Sequence, residues 1–417
     1  MKRSSAAHLV LPVLLLLVGT AARAQEAIQL GLVDYGSRVV GYYNPQRLTL
    51  EAARPSGLRA APAFRAAQYA LLRGNGAGAA GRSYLVALDE PANGSPTLYV
   101  DTNGDGDLTN DPPTTWSVAD YGTGLHQGYG SAFIDIGPAG AATRVRISLY
   151  RFDPKDTDRA AFAATLFYYA DYARSGVMKI GSDSYPVALY DEGSSFDFRG
   201  SGVKLLIDLN HDGVYTAARE STDATQPFNV GGTTREIQGM TAAGDSFKIV
   251  ASSRTAAAMV PPPDLRVGKS TLAFSAVDID GAPVSFPKGY AGKIVMLDFW
   301  ATWCGPCMGE VAGLAAVYAK YKGKGFDVLG VSLDDAGAEK TGSAMRAVMK
   351  DKGMAWRQIC DGRGWESVVA QQYLIDSIPH AFLVDGDTGT IIANGDALRG
   401  ASLETTVAAA LKKKGKI

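Results

Sequence analysis

Residues 294–310 read I-V-M-L-D-F-W-A-T-W-C-G-P-C-M-G-E. Ile294–Trp300 is apolar except for Asp298, the pattern of a strand buried on both faces. From Cys304 to Lys322 the apolar residues Val311, Leu314, Tyr318 and Tyr321 fall on one stripe, which predicts a helix. Cys304 and Cys307 therefore sit at a strand-to-helix junction. A thiolate is the reactive form of cysteine, and a helix N-terminus stabilises negative charge, so Cys304 is expected to ionise readily. A spacing of three puts Cys307 one turn further on, where it can attack a mixed disulfide formed at Cys304. Cys304 is then the exposed nucleophile and Cys307 the resolving thiol. Pro306 loses no hydrogen bond here, because first-turn N–H groups are unpaired anyway.

The pattern continues downstream. Phe326–Leu333 reads as a strand, Ala338–Lys352 and Gly364–Tyr373 as helices, and Ala381–Asp385 as a strand. A turn at Gly386–Gly389 leads to Thr390–Ala393. The last helix is expected after Ser402 as N-cap, with Glu404 in its first turn and Lys412–Lys414 at its end, both suited to the helix dipole. Alternating strands and helices predict a central sheet with a parallel part.

Two other uses of the cysteines compete with this one. A zinc site needs further Cys or His ligands, and Cys360, His126, His211 and His380 form no paired motif. A peroxidase on a related fold wants a threonine three residues before its cysteine, where this chain has Ala301. The segment Asp298–Cys307 resembles the active site of thioredoxin. The longer run Gly281–Glu310 is similar to exported TlpA/ResA-like thiol-disulfide oxidoreductases, and the likeness extends over about Leu265–Ile417. It implies a thioredoxin fold with a β-hairpin ahead of the motif and Glu310 placed three residues after the second cysteine. In S-I-P-H-A-F-L-V-D (Ser377–Asp385) it implies a cis Pro379 beside the cysteines. Having no N–H, Pro379 would leave the Ile378 backbone free to pair with a substrate strand. Expected substrate contacts are Trp303, Gly305, Pro306, Ile378 and His380.

Asp298 matches thioredoxin's buried aspartate. Burial should raise its pKa and suit proton exchange with Cys307, although a purely structural aspartate is the alternative. Two departures stand out: His380 replaces the usual threonine after the proline, and the lysine that accompanies thioredoxin's aspartate falls at Gly330. Cys360, a lone cysteine, is read as an inert buried thiol. The expected chemistry is dithiol–disulfide exchange with protein substrates and no organic cofactor, the Cys304–Cys307 disulfide itself being the redox centre. A disulfide oxidase or isomerase is the alternative within this class.

Upstream, three consecutive prolines at Pro261–Pro263 mark a linker over 256–268, separating a region at 25–255 from a domain at 269–417. Region 25–255 is read as β-rich, from short β-branched and aromatic runs such as Thr97–Val100, Val145–Tyr150, Val203–Ile207 and Phe247–Val250 between glycine-rich turns. Ala60–Leu72 and Asp158–Tyr172 fit either a helix or a long strand. S-Y-L-V-A-L-D-E at Ser83 and S-Y-P-V-A-L-Y-D-E at Ser184 are each followed by an apolar run and an Asp/Asn/Gly loop. That repeat suggests two similar modules, about 25–130 and 131–255. The loops offer oxygens for calcium from Asp101, Asn103, Asp105, Asp107 and Asp111, and from Asp208, Asn210, Asp212 and Glu220. They lack the EF-hand's final glutamate, and a turn rich in ordinary turn residues is the alternative. A calcium-dependent binding or scaffold protein with an accessory redox domain is thus the second reading of the whole chain.

At the N-terminus, Lys2 and Arg3, an apolar run Leu9–Val18 and Ala22-Arg23-Ala24 form an export-signal pattern over 1–24, with cleavage after Ala24. The run is too short to span a bilayer, which takes about 20 residues, and no membrane span is expected after cleavage. Of 417 residues 46% are hydrophobic and 20% charged, with net charge −1, so charge gives no case for nucleic acid. Three cysteines are too few for a disulfide-stapled exported scaffold, so they are assigned to chemistry. Gly305-Pro306 is thioredoxin's own dipeptide, and thioredoxin is reducing at about −270 mV. A reductase in a periplasmic or other extracytoplasmic compartment needs a supply of electrons, and a membrane-linked donor is expected.

Overall fold

The computed structural model describes residues 27–74, 83–112, 114–120, 124–136, 142–335 and 338–417. The export signal expected over 1–24 lies outside the described residues. No described helix is long and apolar enough to cross a membrane.

Among the described residues the N-terminal region forms three sheets whose strands pair antiparallel. Thr143–Phe152 shows why these residues are strands: Val145, Ile147, Leu149 and Arg151 are buried while their neighbours point outward, a period of two. Ala60–Leu72 resolves into a strand at Ala67–Arg73. Asp158–Tyr172 resolves into a 3₁₀ turn at Thr157–Phe162 and a strand at Thr165–Ala170.

The expected division into modules at 130/131 does not hold. His126–Ile136 is one strand running through that point. Ile28–Asp34, from the first half, pairs with Tyr172–Ile180 and Ser246–Ala251 from the second. Leu30, Tyr84, Ile134, Ile147, Val187 and Phe247, drawn from all three sheets, share one core. Similarity between the halves is confined to one hairpin and its loop. Ser83–Asp89 pairs with Thr97–Val100, and Asp183–Asp191 with Val203–Ile207. In both, the loop's first aspartate donates its N–H back to the preceding strand, Asp101 to the Leu85 carbonyl and Asp208 to that of Pro186.

The proline-rich stretch lies against the N-terminal region: Met259 N–H donates to the Asn229 carbonyl and Asn210 to that of Pro262. From Gly268 the chain bonds instead to Ile391 and Gly389.

The C-terminal domain opens with a hairpin, β1 (Phe274–Val277) and β2 (Pro283–Phe286). Its sheet contains β3 (Ile294–Trp300), β4 (Phe326–Ser332), β5 (Arg357–Ile359), β6 (His380–Asp385) and β7 (Ile391–Asn394), in the order β5-β4-β3-β6-β7. β3 runs parallel to β4 and antiparallel to β6. The helices are α1 (Gly305–Tyr321), α2 (Ala338–Lys352), α3 (Val368–Gln372) and α4 (Gly400–Lys413). Val311, Leu314 and Val317 of α1 and Leu403, Val407 and Leu411 of α4 are buried in the same core as β3. The helix expected over Gly364–Tyr373 breaks at Ser367 into a 3₁₀ turn and α3. α4 begins two residues before the predicted cap Ser402, with Arg399 in the N-cap position.

Candidate active site

β3 carries the chain through the middle of the sheet and delivers Cys304 to the start of α1. Cys304 occupies the N-cap position, and its Sγ accepts the Cys307 N–H at 3.2 Å. This N–H and the helix dipole both favour a thiolate at that sulfur. Cys304 and Cys307 are joined as a disulfide. Gly305 and Pro306, in the first turn, are exposed.

Cys304 is not the exposed nucleophile that its place at a helix start suggested. Only 5% of it is accessible, because its sulfur is bonded to Cys307 and lies 3.8 Å from the Ile378 carbonyl oxygen. Exposure falls to its neighbour instead. Trp303 is 52% accessible, its ring 6.1 Å from that of the exposed Trp365, its Nε1 donating to the Leu333 carbonyl at 3.3 Å. The loop before the cysteine is tied down from β4. The buried carboxylate of Asp334 accepts from Thr302 N–H, Thr302 Oγ1 and Ser332 Oγ.

The Ile378–Pro379 bond is cis. Behind the disulfide a cavity of about 150 Å³ is lined by Asp298, Cys307, Glu310, Pro379 and Arg399 over an apolar floor that includes Met296 and Leu314. Asp298 is half-buried and lines this cavity. Burial first, and then the charge of Glu310, push its pKa up to about 7, while Arg399 pulls it down. Glu310 is likewise raised by burial, against Arg399. Burial lowers His380, helped by Arg399 and opposed by Asp376. The five residues expected to carry chemistry thus meet around one cavity and the disulfide that closes it.

Gly330, which stands where thioredoxin has its lysine, sits opposite Asp298 in β4. A Cβ there would fall 1.9 Å from Gln358 Oε1, which is held by Trp300 Nε1 at 2.9 Å, so β4 has no room for a lysine. Sequence reasoning missed Arg399, Asp334 and Trp365. Only for Trp365 was there a local signal, a large apolar residue directly after Gly364. Cys360 is unpaired, and burial pushes its thiol pKa up, away from thiolate formation.

The calcium expectation is not supported. Among the described residues no cluster of three or more His, Cys, Asp or Glu is arranged to hold a metal. Most of the loop oxygens are engaged by backbone instead, Asp111 Oδ2 being the exception. Asp101 accepts the N–H groups of Gly104, Asp105 and Gly106, and Asp208 those of Asp212 and Gly213. Asn103 and Asn210 accept from Asp105 and Asp212, which in turn accept from Asp107 and Val214. Asp107 accepts from Thr109 and Asp111 from Thr102, while Glu220, fully buried, accepts from Leu209 and Thr216. Gly106 and Gly213, both at φ +81°, make the turns that point these N–H groups inward.

A disulfide capping a helix beside a cis-proline, on a sheet ordered β5-β4-β3-β6-β7, defines a thioredoxin-like domain. Residues 267–393 match the AhpC/TSA family model. It is 32% identical over 123 residues to thiol-disulfide oxidoreductase ResA of Bacillus thuringiensis subsp. konkukian, covering 30% of this chain and 66% of that protein, just under two thirds of its length. A 43-residue stretch, 10% of this chain and 22% of the relative, is 56% identical to ResA of Oceanobacillus iheyensis. The crystal structure of the thioredoxin domain of a thiol-disulfide oxidoreductase from Bacteroides vulgatus is 31% identical. It covers 36% of this chain and 99% of its own, with a TM-score of 0.31.

Proposed function

We propose that the protein is an exported thiol-disulfide oxidoreductase that reduces disulfides of protein substrates. The observation carrying this reading is the Cys304–Cys307 pair at the N-terminus of α1, backed by a cavity that holds a carboxylate poised near neutrality. In the dithiol form the Cys304 thiolate attacks one sulfur of a substrate disulfide. The S–S bond breaks, a mixed disulfide forms, and the first substrate thiolate leaves and takes a proton from water. Asp298 then accepts the proton of Cys307, and the Cys307 thiolate attacks Cys304 Sγ. The second substrate thiolate leaves, and the protein is left oxidised. The departing second substrate thiolate takes the Cys307 proton back from Asp298, so two electrons pass from protein to substrate, with one proton from Cys307 and one from water.

Trp303 and Trp365 offer an apolar landing next to Cys304, and the backbone at Ile378 offers a strand edge for an extended substrate. Each turnover consumes the dithiol, so an extracytoplasmic protein needs a membrane-linked electron donor to restore it. The signal pattern at 1–24 and the ResA relatives support that location.

The test is reduction of insulin by the dithiol protein, with Cys304→Ser as control. Failure of the wild type to reduce insulin refutes the enzyme. Cys307→Ser should accumulate mixed disulfides at Cys304 and so identify the substrates. A couple poised near −270 mV fits a reductase, whereas one near −120 mV reverses the direction to oxidation. Mature protein from the extracytoplasmic fraction should begin at Gln25.

A further inference from the structure

We infer that Arg399 is the cation of this site, a positioning residue that ties the Glu310 carboxylate to the Pro379 carbonyl at the rim of the cavity and so governs the proton held by Asp298. The inference builds on the exchange chemistry proposed above, but the geometry that carries it is independent of substrate.

A buried carboxylate that must gain and lose a proton each cycle benefits from a nearby fixed positive charge. The neighbouring strand cannot supply one, since Gln358 fills the space beside Gly330. Arg399 arrives from the opposite side, between the 3₁₀ turn Gly395–Leu398 and α4. Its Nη2 donates to the Pro379 carbonyl, and its Nε lies 3.7 Å from Glu310 Oε1. A guanidinium presents donors on different edges of a rigid plane and can serve both acceptors at once; an ammonium is a single point.

The position is also a poor one for a cation on local grounds. Arg399 is the N-cap of α4, where the helix dipole disfavours positive charge, and its side chain makes no capping hydrogen bond. A residue that breaks the local rule while making two long-range contacts is more economically explained by the site than by the helix.

The charged and titratable groups around Asp298 come from three elements: Glu310 and Cys307 from α1, Arg399 from the start of α4, and His380 on β6, next to the residue paired with Asp298. Two carboxylates therefore share one guanidinium. Without it, ionising both becomes harder and Asp298 holds its proton to higher pH. Side-chain exposures of 39% for Arg399 and 38% for Glu310 temper the effect. A displacement of about half to one pH unit is expected, which near pH 7 slows the Asp298-dependent step about two- to five-fold.

The experiment uses the full oxidised chain with labelled aspartate carboxyls, following the Asp298 titration by ¹³C NMR, and then the pH profile of insulin reduction. Arg399→Gln should move the Asp298 midpoint and the rate profile upward together, and Glu310→Gln should move the midpoint downward. Arg399→Lys should keep part of the charge effect. The shift in the rate profile should vanish in an Asp298→Asn background. An unchanged Asp298 midpoint in Arg399→Gln overturns the inference, as does a profile shift that survives without Asp298. Should Arg399→Gln fail to fold, Glu310→Gln decides: an unmoved or raised midpoint overturns it. Loss of insulin reduction in the wild type strikes the proposed function alone, because the titration is read without substrate.

Discussion

Asp101 and Asp298 are both carboxylates drawn into the protein, and they have opposite fates. Asp101 follows a strand in the N-terminal region and is 1% exposed, yet its oxygens receive three backbone N–H groups from the loop that it begins. Asp298 lies within a strand, whose backbone donors are committed to β4 and β6. Among the described residues no hydrogen-bond donor lowers it, and burial pushes its pKa to about 7. Asp208 and Glu220 repeat the first arrangement. Asp101, met by N–H groups, holds a turn together, and Asp298, left without them, has its pKa pushed toward neutrality.

That contrast can be broken at several points. Cys304→Ser should abolish insulin reduction, by more than ~10³-fold, since no other thiol replaces the nucleophile; substantial residual activity would move the chemistry elsewhere. Asp298→Asn should slow exchange at pH 8 by roughly 10- to 100-fold and flatten the rise in rate through about pH 7.

Its effect on stability has the opposite sign. Because the folded protein holds this proton up to about pH 7 and the unfolded chain releases it near pH 4, the wild type loses stability as pH rises between those values. The variant escapes that loss and should be more stable at pH 8 by roughly 2 kcal/mol in oxidised-form chemical denaturation. A destabilised variant would mean that Asp298 is structural.

Glu220→Ala should do the reverse. Leaving the Leu209 and Thr216 N–H groups without an acceptor should cost about 2–3 kcal/mol, with insulin reduction unchanged. The smallest effect concerns metal. With most of the loop oxygens already engaged, calcium or a chelator should shift the melting temperature by less than about 2 °C; a calcium-dependent rise of several degrees would make these loops ligand sites after all.

How much was legible follows from where the information lies along the chain. The junction of β3 and α1 could be read because an apolar run, a helical stripe and two cysteines at a spacing of three are neighbours in sequence. The start of α4 was misread: Ser402 is the better local cap, but the helix begins after Arg399, whose partners are Glu310 and Pro379. The recurrence of S-Y-L-V and S-Y-P-V was real at the level of a hairpin and its aspartate loop. It misled as to modules, because pairing between Ile28–Asp34 and Tyr172–Ile180 leaves no mark in a local window. The same loops show oxygen-bearing residues at regular spacing but not whether backbone N–H groups or an ion will meet them.

By itself, then, the sequence determined the redox pair, the strand–helix frame that presents it and the carboxylate behind it, since each depends on residues within a few turns of one another. Tertiary structure alone decided that Cys304 is covered in the disulfide form, that Gln358 closes the route for a cation from β4, and that Arg399 enters from the far side of the cavity. These are packing outcomes. They depend on which distant side chains fill a given volume, and spacing along the chain does not encode that.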